Sequence, residues 1–586
     1  MMELDKGSFP RPDFIRTDYQ SLNGEWEFDF DDDGALTRSF ERGGDLALER
    51  SICVPFPYQS PASGIHDESI HEVMWYRREF FVTAEHAAKT ALLHFGAVDH
   101  DAEVWLNGNF LGRHSGGFTP FQFEVSPFLR EGANEITLRV ADTCAMDQVR
   151  GKQIWDGVPS GCHYVAVSGI WQEVWIEYTS ETYITRVKYT VDFDRICAFV
   201  DVHFNRRVEG TVSLCVEKDG AHVCDLEQSV RGDTALVSIR LPDISMTDNK
   251  LVNWSPERPN LFDVAVTLSD EGGPKDTVLT YFGFRKIAVH GDKIFLNNSQ
   301  YYLRTVLDQG YWTEGIYRPA TDDGFRRDVE LTKELGFNGA RKHLKIEDPK
   351  YYYWADKLGL LVWGELPSFY SFTDRAADDA ISTMREFIAR DYNHPCIMAW
   401  VPFNETWGLR KIVGDRRESD LARCLYYLCH SADEGRLVST NDGWENVSPT
   451  DFISVHDYRT LTDRLVKYYS DRSFIQNGAA RTGHPYRLPG EEYGELPILY
   501  TEFGGKRIAG DEGWGYDTAL ESVEAYVADV DNDVSAVISI PTMCGYCYTQ
   551  LTDCYQETNG LLYMNREPKA DIERLAAIFK KKPGAQ

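Results

Sequence analysis

The sequence predicts a multidomain protein with both α and β structure: a jelly-roll β-sandwich, an immunoglobulin-like β-sandwich and a (β/α)8 TIM barrel, in that order. Its 586 residues exceed the roughly 250–300 residues at which a single hydrophobic core stops growing. The first half consists of short apolar runs between turn residues, whereas strand and helix patterns alternate in the second half. We place the three domains at residues 1–180, 181–283 and 284–586.

The first segment has the pattern of an all-β domain. Its clearest element is a hairpin in which Asp101–Leu106 and Asn109–Gly112 flank Asn107-Gly108, the residue pair preferred in type I′ turns. Further strands are predicted at Glu135–Val140 and Gln172–Tyr178. Many short strands at this spacing indicate a sandwich or a jelly roll.

The second segment continues as β structure without a helix pattern. Its candidate strands are Ile184–Val191, Ala198–Phe204, Gly210–Glu217, Ala235–Leu241 and Phe262–Leu268. About 100 residues of this kind fit an immunoglobulin-like sandwich. Trp254-Ser-Pro256 and Arg258-Pro-Asn260 predict an ordered turn before the last strands.

The third segment alternates strands and helices, which is typical of a (β/α)8 barrel. The eight candidate strands are Tyr301–Leu307, Asn338–His343, Leu360–Glu365, Ile397–Glu405, Arg436–Thr440, Phe452–His456, Ile498–Glu502 and Ala536–Ile540. The plainest helices are Asp322–Leu335, Pro349–Leu358, Ala377–Tyr392, Ser419–Asp433, Leu461–Ser470, Ala519–Val530 and Lys569–Lys580.

Composition limits the classes of partner. The formal net charge of −31 would repel phosphate backbones and anionic membranes, so we expect neither nucleic acid nor membrane as a partner. No run approaches the roughly 20 apolar residues of a membrane-spanning helix. The N-terminus, Met1-Met2-Glu3-Leu4-Asp5-Lys6, has no apolar segment, so we expect no signal peptide and a cytoplasmic protein.

The 12 cysteines are interpreted as reduced thiols, because they are scattered along a long chain without a secretion signal. Cys544-Gly-Tyr-Cys547 has the spacing of a redox motif but lies in a strand-like run, whereas redox pairs sit at helix N-termini. Cys424 and Cys429 have no histidine cluster beside them. We therefore predict no metal site and no cofactor.

Two glutamates follow predicted barrel strands. Glu405 ends strand four and Glu502 ends strand seven, across the barrel mouth, where the chemistry of such barrels takes place. A lone acidic residue at a strand end is usually a helix cap or a solvated charge, but that reading explains poorly why two follow apolar strands. Hydrolysis of a glycosidic bond needs one carboxylic acid and one carboxylate, and a separation of about 5–5.5 Å implies retention through a covalent intermediate.

Nine different short motifs occur one after another along the chain. They are Leu22-Asn-Gly-Glu-Trp26, Trp75-Tyr-Arg77, Gly96-Ala-Val-Asp-His100, Val104-Trp-Leu-Asn-Gly108, Ser168-Gly-Ile-Trp171, Trp254-Ser-Pro256, Pro259-Asn-Leu261, Asn404-Glu405 and Thr501-Glu-Phe-Gly504. In this order the sequence resembles glycoside hydrolase family 2, which includes β-galactosidases, β-glucuronidases and β-mannosidases. The resemblance covers nearly the whole chain and implies a sugar-binding jelly roll, an immunoglobulin-like domain and a catalytic barrel.

The resemblance implies roles for individual residues. Glu405 matches the acid/base, Glu502 the nucleophile, and Asn404 a residue that hydrogen-bonds the sugar 2-hydroxyl. Tyr458 looks like the tyrosine that orients the nucleophile, and His343 resembles a histidine that contacts the sugar. Glu365 falls where relatives carry another acidic residue. A buried tyrosine, a capped histidine and a structural salt bridge are the alternatives for Tyr458, His343 and Glu365.

Departures from the family pattern bear on the sugar. Glucuronidases of the family carry an Asn-x-Lys motif near the end of strand eight, but this chain has Gln556-Glu-Thr-Asn559, without the lysine and with an added negative charge. His163 stands near the place where several relatives send an aspartate into the site, and Tyr548 where relatives show a tryptophan. The histidine-rich metal loop of the long β-galactosidases is not apparent.

The loop after strand one is a further candidate. We expect Asp308 to bind sugar hydroxyls and Trp312 to stack on a ring face, with Trp155 and Tyr164 closing the same pocket from the first domain. Ordinary loop packing is the alternative for these side chains.

The leading hypothesis is an exo-acting, retaining β-glycosidase that acts on a terminal neutral sugar of a small or oligosaccharide β-glycoside, with a β-galactoside favoured. A β-galactofuranosidase is an alternative, and a β-glucuronidase is disfavoured by the missing lysine. A non-catalytic carbohydrate-binding protein is the alternative of another class. No triad or metal cluster supports another hydrolase. Family members often form dimers or tetramers, so a homo-oligomer is possible, although no interface can be identified in the sequence.

Overall fold

The computed structural model describes residues 4–241 and 252–584, so the first residues of the N-terminus considered above lie outside it. The first domain contains the strands β1 Tyr19–Ser21, β2 Gly24–Phe30, β3 Arg50–Val54, β4 Val73–Val82, β5 Thr90–Phe95, β6 Val98–Asp99, β7 Asp101–Leu106, β8 Asn109–Ser115, β9 Phe121–Glu124, β10 Gly132–Ala141, β11 Gly169–Ile170 and β12 Val174–Thr179. Its helices are α1 Ala35–Glu41 and α2 Ala84–Ala87.

These strands form two main antiparallel sheets, ordered β1-β12-β5-β9 and β3-β2-β4-β10-β7-β8. Alternate side chains such as Trp26, Phe28 and Tyr76 form one buried core, which is why the strand patterns alternate in polarity. The hairpin between β7 and β8 is confirmed. Its turn residues Asn107 and Gly108 have φ values of 51° and 76°, as a type I′ turn requires.

The second domain contains β13 Ile184–Asp192, β14 Cys197–Lys218, β15 Ala221–Arg240, β16 Trp254–Ser255, β17 Arg258–Pro259, β18 Phe262–Asp270 and β19 Gly273–Phe282. Two predicted strands merge into the long β14, because the residues between them include neither glycine nor proline. The first half of β14 pairs with β13 and the second half with β18, with a register shift in its pairing to β15 between His203 and Val208. The strands enclose one apolar core, as predicted for an immunoglobulin-like fold.

A small antiparallel sheet, β20 Ile287–His290, β21 Lys293–Leu296 and β22 Ser299–Gln300, precedes the barrel. The barrel strands are β23 Leu303–Asp308, β24 Gly339–Lys342, β25 Leu361–Glu365, β26 Ile397–Val401, β27 Leu437–Val438, β28 Ile453–His456, β29 Ile498–Glu502 and β30 Met543–Tyr548. The remaining helices are α3 Asp323–Glu334, α4 Pro349–Leu358, α5 Asp374–Asp391, α6 Arg416–Ala432, α7 Asp463–Tyr469, α8 Arg472–Asn477, α9 Val523–Ser539 and α10 Ile572–Phe579.

The barrel strands pair in parallel in the order β27-β26-β25-β24-β23-β30-β29-β28. Between β27 and β28, the Asn446 side chain accepts from the Ser454 amide at 3.1 Å and donates to its carbonyl at 3.0 Å. The (β/α)8 fold class is thus confirmed. No helix among the described residues is long and apolar enough to cross a membrane.

The predicted eighth strand is wrong. Residues 536–540 overlap the C-terminal end of α9, and the eighth strand is β30. A short apolar run does not distinguish strand from helix, but Val530, Val534 and Val537 lie on one buried helical face. Cys544 and Cys547 are buried and unpaired in β30, where residues three positions apart point to opposite sides.

A first-domain loop, residues 142–168 between β10 and β11, reaches the barrel mouth. The amides of Arg150 and Gly151 both donate to the Ser368 carbonyl at 3.0 Å. From the barrel side, Gln556 Nε2 donates to the His163 carbonyl at 2.8 Å. The first-domain loop thereby packs against the carboxyl ends of the barrel strands.

Candidate active site

The two predicted glutamates meet at the barrel mouth. Glu502 is the last residue of β29, whereas β26 ends at Val401 and Glu405 lies in the loop beyond it. Pro402 has no N–H for the ladder, so the strand is shorter than predicted. Glu405 has φ 51°, a conformation that costs a non-glycine residue about 1–2 kcal/mol, and its amide donates to the Asp442 carbonyl at 2.8 Å.

His456, at the end of β28, lies between the two glutamates. Its Nδ1 is 2.7 Å from Glu405 Oε1 and 3.5 Å from Glu502 Oε1, and its Nε2 is 2.9 Å from Asp442 Oδ2. One carboxylate oxygen of each glutamate and a ring nitrogen of His456 lie within 4.8 Å of one another. One oxygen of each carboxylate thus lies within 4.8 Å of the other, a close approach that is compatible with the separation of about 5–5.5 Å between the carboxyl groups of retaining glycosidases.

The carboxylates around His456 keep its imidazole charged. Burial opposes the charged form, but Glu502 and the hydrogen bonds to Asp442 and Glu405 outweigh it and raise the pKa of His456 to about 10. The spacing of Glu405, His456 and Glu502 would also suit a metal ion. With its pKa raised by these carboxylates, the protonated ring is the local cation between the two glutamates.

Arg341, in β24, is the second buried cation. Its Nη1 is 3.1 Å from Glu502 Oε1 and 2.7 Å from Asp442 Oδ2. Its Nη2 donates to Glu365 Oε1 at 2.8 Å and to Asn404 Oδ1 at 2.7 Å. One planar guanidinium therefore fixes side chains that follow or end four different strands.

Tyr458 contacts the proposed nucleophile directly. Its hydroxyl donates to Glu502 Oε2 at 2.5 Å, and its ring stacks on Tyr516 with centroids 3.4 Å apart. Burial raises the pKa of Glu502 and the nearby Glu405 adds to the rise, whereas His456, Arg341 and the Tyr458 hydrogen bond lower it. The cations and the tyrosine thus offset the tendency of burial to neutralise this carboxyl group.

His343 and Glu365 form a hydrogen-bonded pair beside Arg341. His343 Nδ1 is 2.9 Å from Glu365 Oε2. Burial lowers the pKa of His343 well below its usual range, and the nearby cations Lys152 and Arg341 lower it further, so the imidazole is neutral. Glu365 has no exposed surface. It therefore positions Arg341 and His343 and does not itself contact a ligand in this conformation.

Three sequence predictions need correction. Asp308 has no exposed surface and is held by Lys342 Nζ at 2.6 Å. Trp312 packs edge-on against Phe325, and the guanidinium of Arg566 lies 3.3 Å from its ring centroid. Both side chains thus belong to ordinary loop packing, because the buried strand-one loop finds its partners within the protein.

Tyr548 is the third correction. It is fully buried in β30, with its ring against Phe503 and Phe579 at centroid distances of 5.4 and 5.3 Å. It does not take the place of a tryptophan that faces a sugar.

The first-domain loop adds an aromatic cluster beside Glu405. The His163 ring lies 4.9 Å from Trp155, 5.0 Å from Tyr370 and 5.3 Å from Trp407, measured between ring centroids. Burial lowers the pKa of His163 to about 4, and Lys152 adds to the effect. His163 is therefore a neutral ring of this cluster and not a substitute for an acidic side chain.

Sequence reasoning missed His456, Arg341 and Asp442 as members of the site. A signal existed for the first two, because Arg341 is the residue before the last of β24 and His456 is the last residue of β28, next to the barrel mouth. Asp442 follows the two-residue strand β27 and had no comparable signal. Lys152 had none either, because it lies on a loop of another domain.

A parallel barrel with two carboxylates at this spacing at its mouth is the kind of site that glycoside hydrolases use. Family models for glycosyl hydrolases family 2 match the chain along its length: the sugar binding domain at residues 19–180, a second domain at 182–285 and the TIM barrel domain at 287–581. The chain belongs to glycosyl hydrolase family 2.

Individual relatives differ in the sugar that their names give. A β-galactosidase of Thermoanaerobacter pseudethanolicus is 28% identical over 84% of this chain and 65% of its own length. A putative β-glucuronidase of Formosa agariphila is 26% identical over 85% of this chain and 62% of its own length. The chain thus spans about two thirds of the length of these relatives.

A solved β-glucuronidase from Ruminococcus gnavus, in complex with an N1-substituted uronic isofagomine, has a similar fold. Its TM-score is 0.76 at 20% identity, with 97% of this chain and 98% of that chain covered.

Proposed function

We propose that this protein is an exo-acting, retaining β-glycosidase that releases a terminal neutral sugar, with a β-galactoside as the favoured substrate. The observation that carries the proposal is the spacing of Glu405 and Glu502: one carboxylate oxygen of each lies within 4.8 Å of the other at the barrel mouth. In this proposal Glu502 is the nucleophile and Glu405 the acid/base.

In the first step a Glu502 oxygen attacks the anomeric carbon while Glu405 donates its proton to the departing glycosidic oxygen. The bond to the aglycone breaks and an ester between Glu502 and the sugar forms. Glu502 loses a negative charge as Glu405 gains one, so the net charge of the buried site stays constant. The charged His456 and Arg341, both within 3.5 Å of Glu502, favour its ionised form before attack.

In the second step Glu405 takes a proton from water, and the water oxygen attacks the anomeric carbon. The ester bond breaks, Glu502 leaves as a carboxylate, and the sugar departs with its original configuration. Two inversions at one carbon account for retention. No metal or organic cofactor is needed in either step.

The pocket favours an exo mode of action and a neutral sugar. The aromatic cluster of the first-domain loop closes one side of the barrel mouth next to Glu405, which suits one terminal sugar better than the middle of a chain. In the loop after β30, Glu557 is almost fully buried where glucuronidases of the family carry Asn-x-Lys. A sugar carboxylate would meet its negative charge. A galactofuranoside remains the alternative substrate.

The experiment compares wild-type protein with Glu502→Gln on nitrophenyl glycosides: β-galactopyranoside, β-galactofuranoside, β-glucuronide, β-glucoside, β-mannoside, arabinoside and fucoside. We expect wild-type turnover of a neutral glycoside, initial release of the β-anomer by NMR, and loss of nearly all activity in the variant. Glu495→Gln, at an exposed glutamate nearby in sequence, is the matched control. Unchanged turnover in Glu502→Gln contradicts the assignment, and sugar binding without hydrolysis supports the binding-protein alternative.

A further inference from the structure

Lys152 is a buried cation that the proposed chemistry does not use. It lies on the first-domain loop and is only 6% exposed. Its Nζ is 5.7 Å from the Trp407 ring centroid and 5.8 Å from that of Tyr164. Within residues 4–241 and 252–584, Nζ has no hydrogen-bond acceptor and no carboxylate within 4.0 Å. Its three N–H donors are therefore free to bind a ligand.

The Lys152 side chain lies near the loop that carries Glu405. Trp407, beside its ammonium group, is two residues beyond Glu405. Burial disfavours the charged form of Lys152, but the charges of Glu557 and Glu502 outweigh burial and raise its pKa. Lys152 is therefore a charged ammonium group close to these two carboxylates.

Glu557, in the loop after β30, is the other half of the arrangement. Its side chain is 1% exposed, and it accepts hydrogen bonds from the Tyr164 hydroxyl and from Asn559 Nδ2, the latter at 3.1 Å. A carboxylate has about four lone-pair directions, so acceptor capacity remains after these two bonds. Lys152 Nζ lies 5.8 Å from the ring centroid of Tyr164, the tyrosine whose hydroxyl donates to Glu557, and it forms no ion pair with Glu557 within 4.0 Å. A donor and an acceptor therefore lie beside the same tyrosine without contacting each other.

We propose that Lys152 and Glu557 bind one hydroxyl group of the terminal sugar between them, with Lys152 donating and Glu557 accepting. The inference rests on the proposed glycosidase function and makes this pair specificity-determining. A hydroxyl is both donor and acceptor, so it satisfies both side chains at once. A carboxylate at the same place would accept from Lys152 but face the negative charge of Glu557. The pair therefore selects a neutral sugar over the matching uronic acid.

The test uses the full chain and two aryl glycosides that differ at one carbon. These are the neutral nitrophenyl glycoside that wild type hydrolyses fastest and the corresponding uronide. Lys152→Met keeps the side-chain length but removes the donor, and Lys152→Gln keeps a neutral donor. Glu557→Gln removes the charge and keeps an acceptor. Lys357→Met, at an exposed lysine of α4, is the matched control.

For Lys152→Met we expect kcat/KM on the neutral glycoside to fall about 10- to 100-fold, the range for a hydrogen bond to a charged group. Lys152→Gln should lie between Lys152→Met and wild type. Glu557→Gln should raise the ratio of uronide to neutral-glycoside kcat/KM about tenfold or more, since it removes a like charge. The melting temperature of Lys152→Met should stay near that of wild type, because Nζ makes no hydrogen bond whose loss would destabilise the fold.

A series of deoxy substrates, each lacking one hydroxyl of the neutral glycoside, identifies the hydroxyl that is bound. One of these substrates should give the same kcat/KM with wild type and Lys152→Met. A merely structural role for Lys152 would instead lower activity equally on all of them. Wild-type kcat/KM retained in Lys152→Met overturns the inference while leaving the glycosidase proposal intact. A wild-type preference for the uronide overturns the inference and the neutral sugar of the proposed function, but not the two-glutamate hydrolysis. Absence of any wild-type hydrolysis overturns the proposed function, and the inference with it.

Discussion

The charge on His456 should determine the pH at which activity is lost in acid. In His456→Asn the imidazolium is replaced by a neutral amide that still reaches toward Glu405. At 3.5 Å from Glu502 Oε1, the lost attraction has a Coulomb energy of about 5 kcal/mol at an effective dielectric constant of 20. Part of this energy is offset, because the variant no longer buries a charged imidazolium. Mutational data on hydrogen bonds to charged groups give a net of about 1.5–3 kcal/mol, or about 10- to 100-fold in rate.

The sign of the pH effect follows from the groups around Glu502. Burial and Glu405 raise the pKa of Glu502, and His456 is foremost among the groups that lower it. Without that cation the pKa of Glu502 rises further, so the nucleophile is protonated up to a higher pH. The acid limb of the bell-shaped profile of kcat/KM should therefore move to higher pH in His456→Asn.

The assay is kcat/KM against pH on the best aryl glycoside, with His430→Asn as a matched control. His430 also faces a carboxylate, with Nε2 3.1 Å from Asp451 Oδ2, but it lies on α6 at the surface. Its replacement should leave both limbs in place. An acid limb in His456→Asn that coincides with that of wild type would refute the electrostatic role assigned to His456.

Two further predictions concern a positioning hydroxyl and a domain junction. Tyr458→Phe removes the hydrogen bond to Glu502, so kcat/KM on the same glycoside should fall about 10- to 100-fold with little change in melting temperature; wild-type kcat/KM would contradict the role of the hydroxyl. Asp356→Ala removes a carboxylate of α4 that accepts from the Tyr281 hydroxyl at 2.9 Å and lies 2.6 Å from His394 Nδ1. The bond to Tyr281 joins the second domain to α4. Calorimetry should show a lower melting temperature, and urea unfolding should show a free energy of unfolding that is lower by about 3–5 kcal/mol. Equal stability of the variant and the wild type would count against this role of Asp356.

Local patterns explain most of what the sequence predicts correctly. Ile498–Glu502 is a strand with the predicted bounds, and Pro349–Leu358 is a helix with the predicted bounds. The helix begins with proline at its first position and Asp348 as its cap, which are strong start signals. The failure at residues 536–540 occurred where only a short apolar run was available, a pattern common to buried strands and buried helices.

The residues of the candidate site were likewise predictable only in part. Glu405 and Glu502 were found because a parallel barrel brings the carboxyl ends of all its strands together, so position along each strand was sufficient. Asp308 ends β23 and Trp312 lies in the loop beyond it, yet their side chains contact Lys342 and Arg566 inside the protein. Whether a strand-end residue faces the pocket or an internal partner depends on contacts between residues far apart in the chain.

The sequence alone determined the order of the three folds, the family, and two carboxylates at one end of the barrel, because these depend on local periodicity and on motifs with fixed spacing. Only the tertiary structure decided that His456 lies between the two glutamates as a cation. It also decided that Lys152, from another domain, lies beside Trp407, two residues beyond Glu405. The charge state of a buried group is set by neighbours within a few ångströms, whatever their distance in sequence.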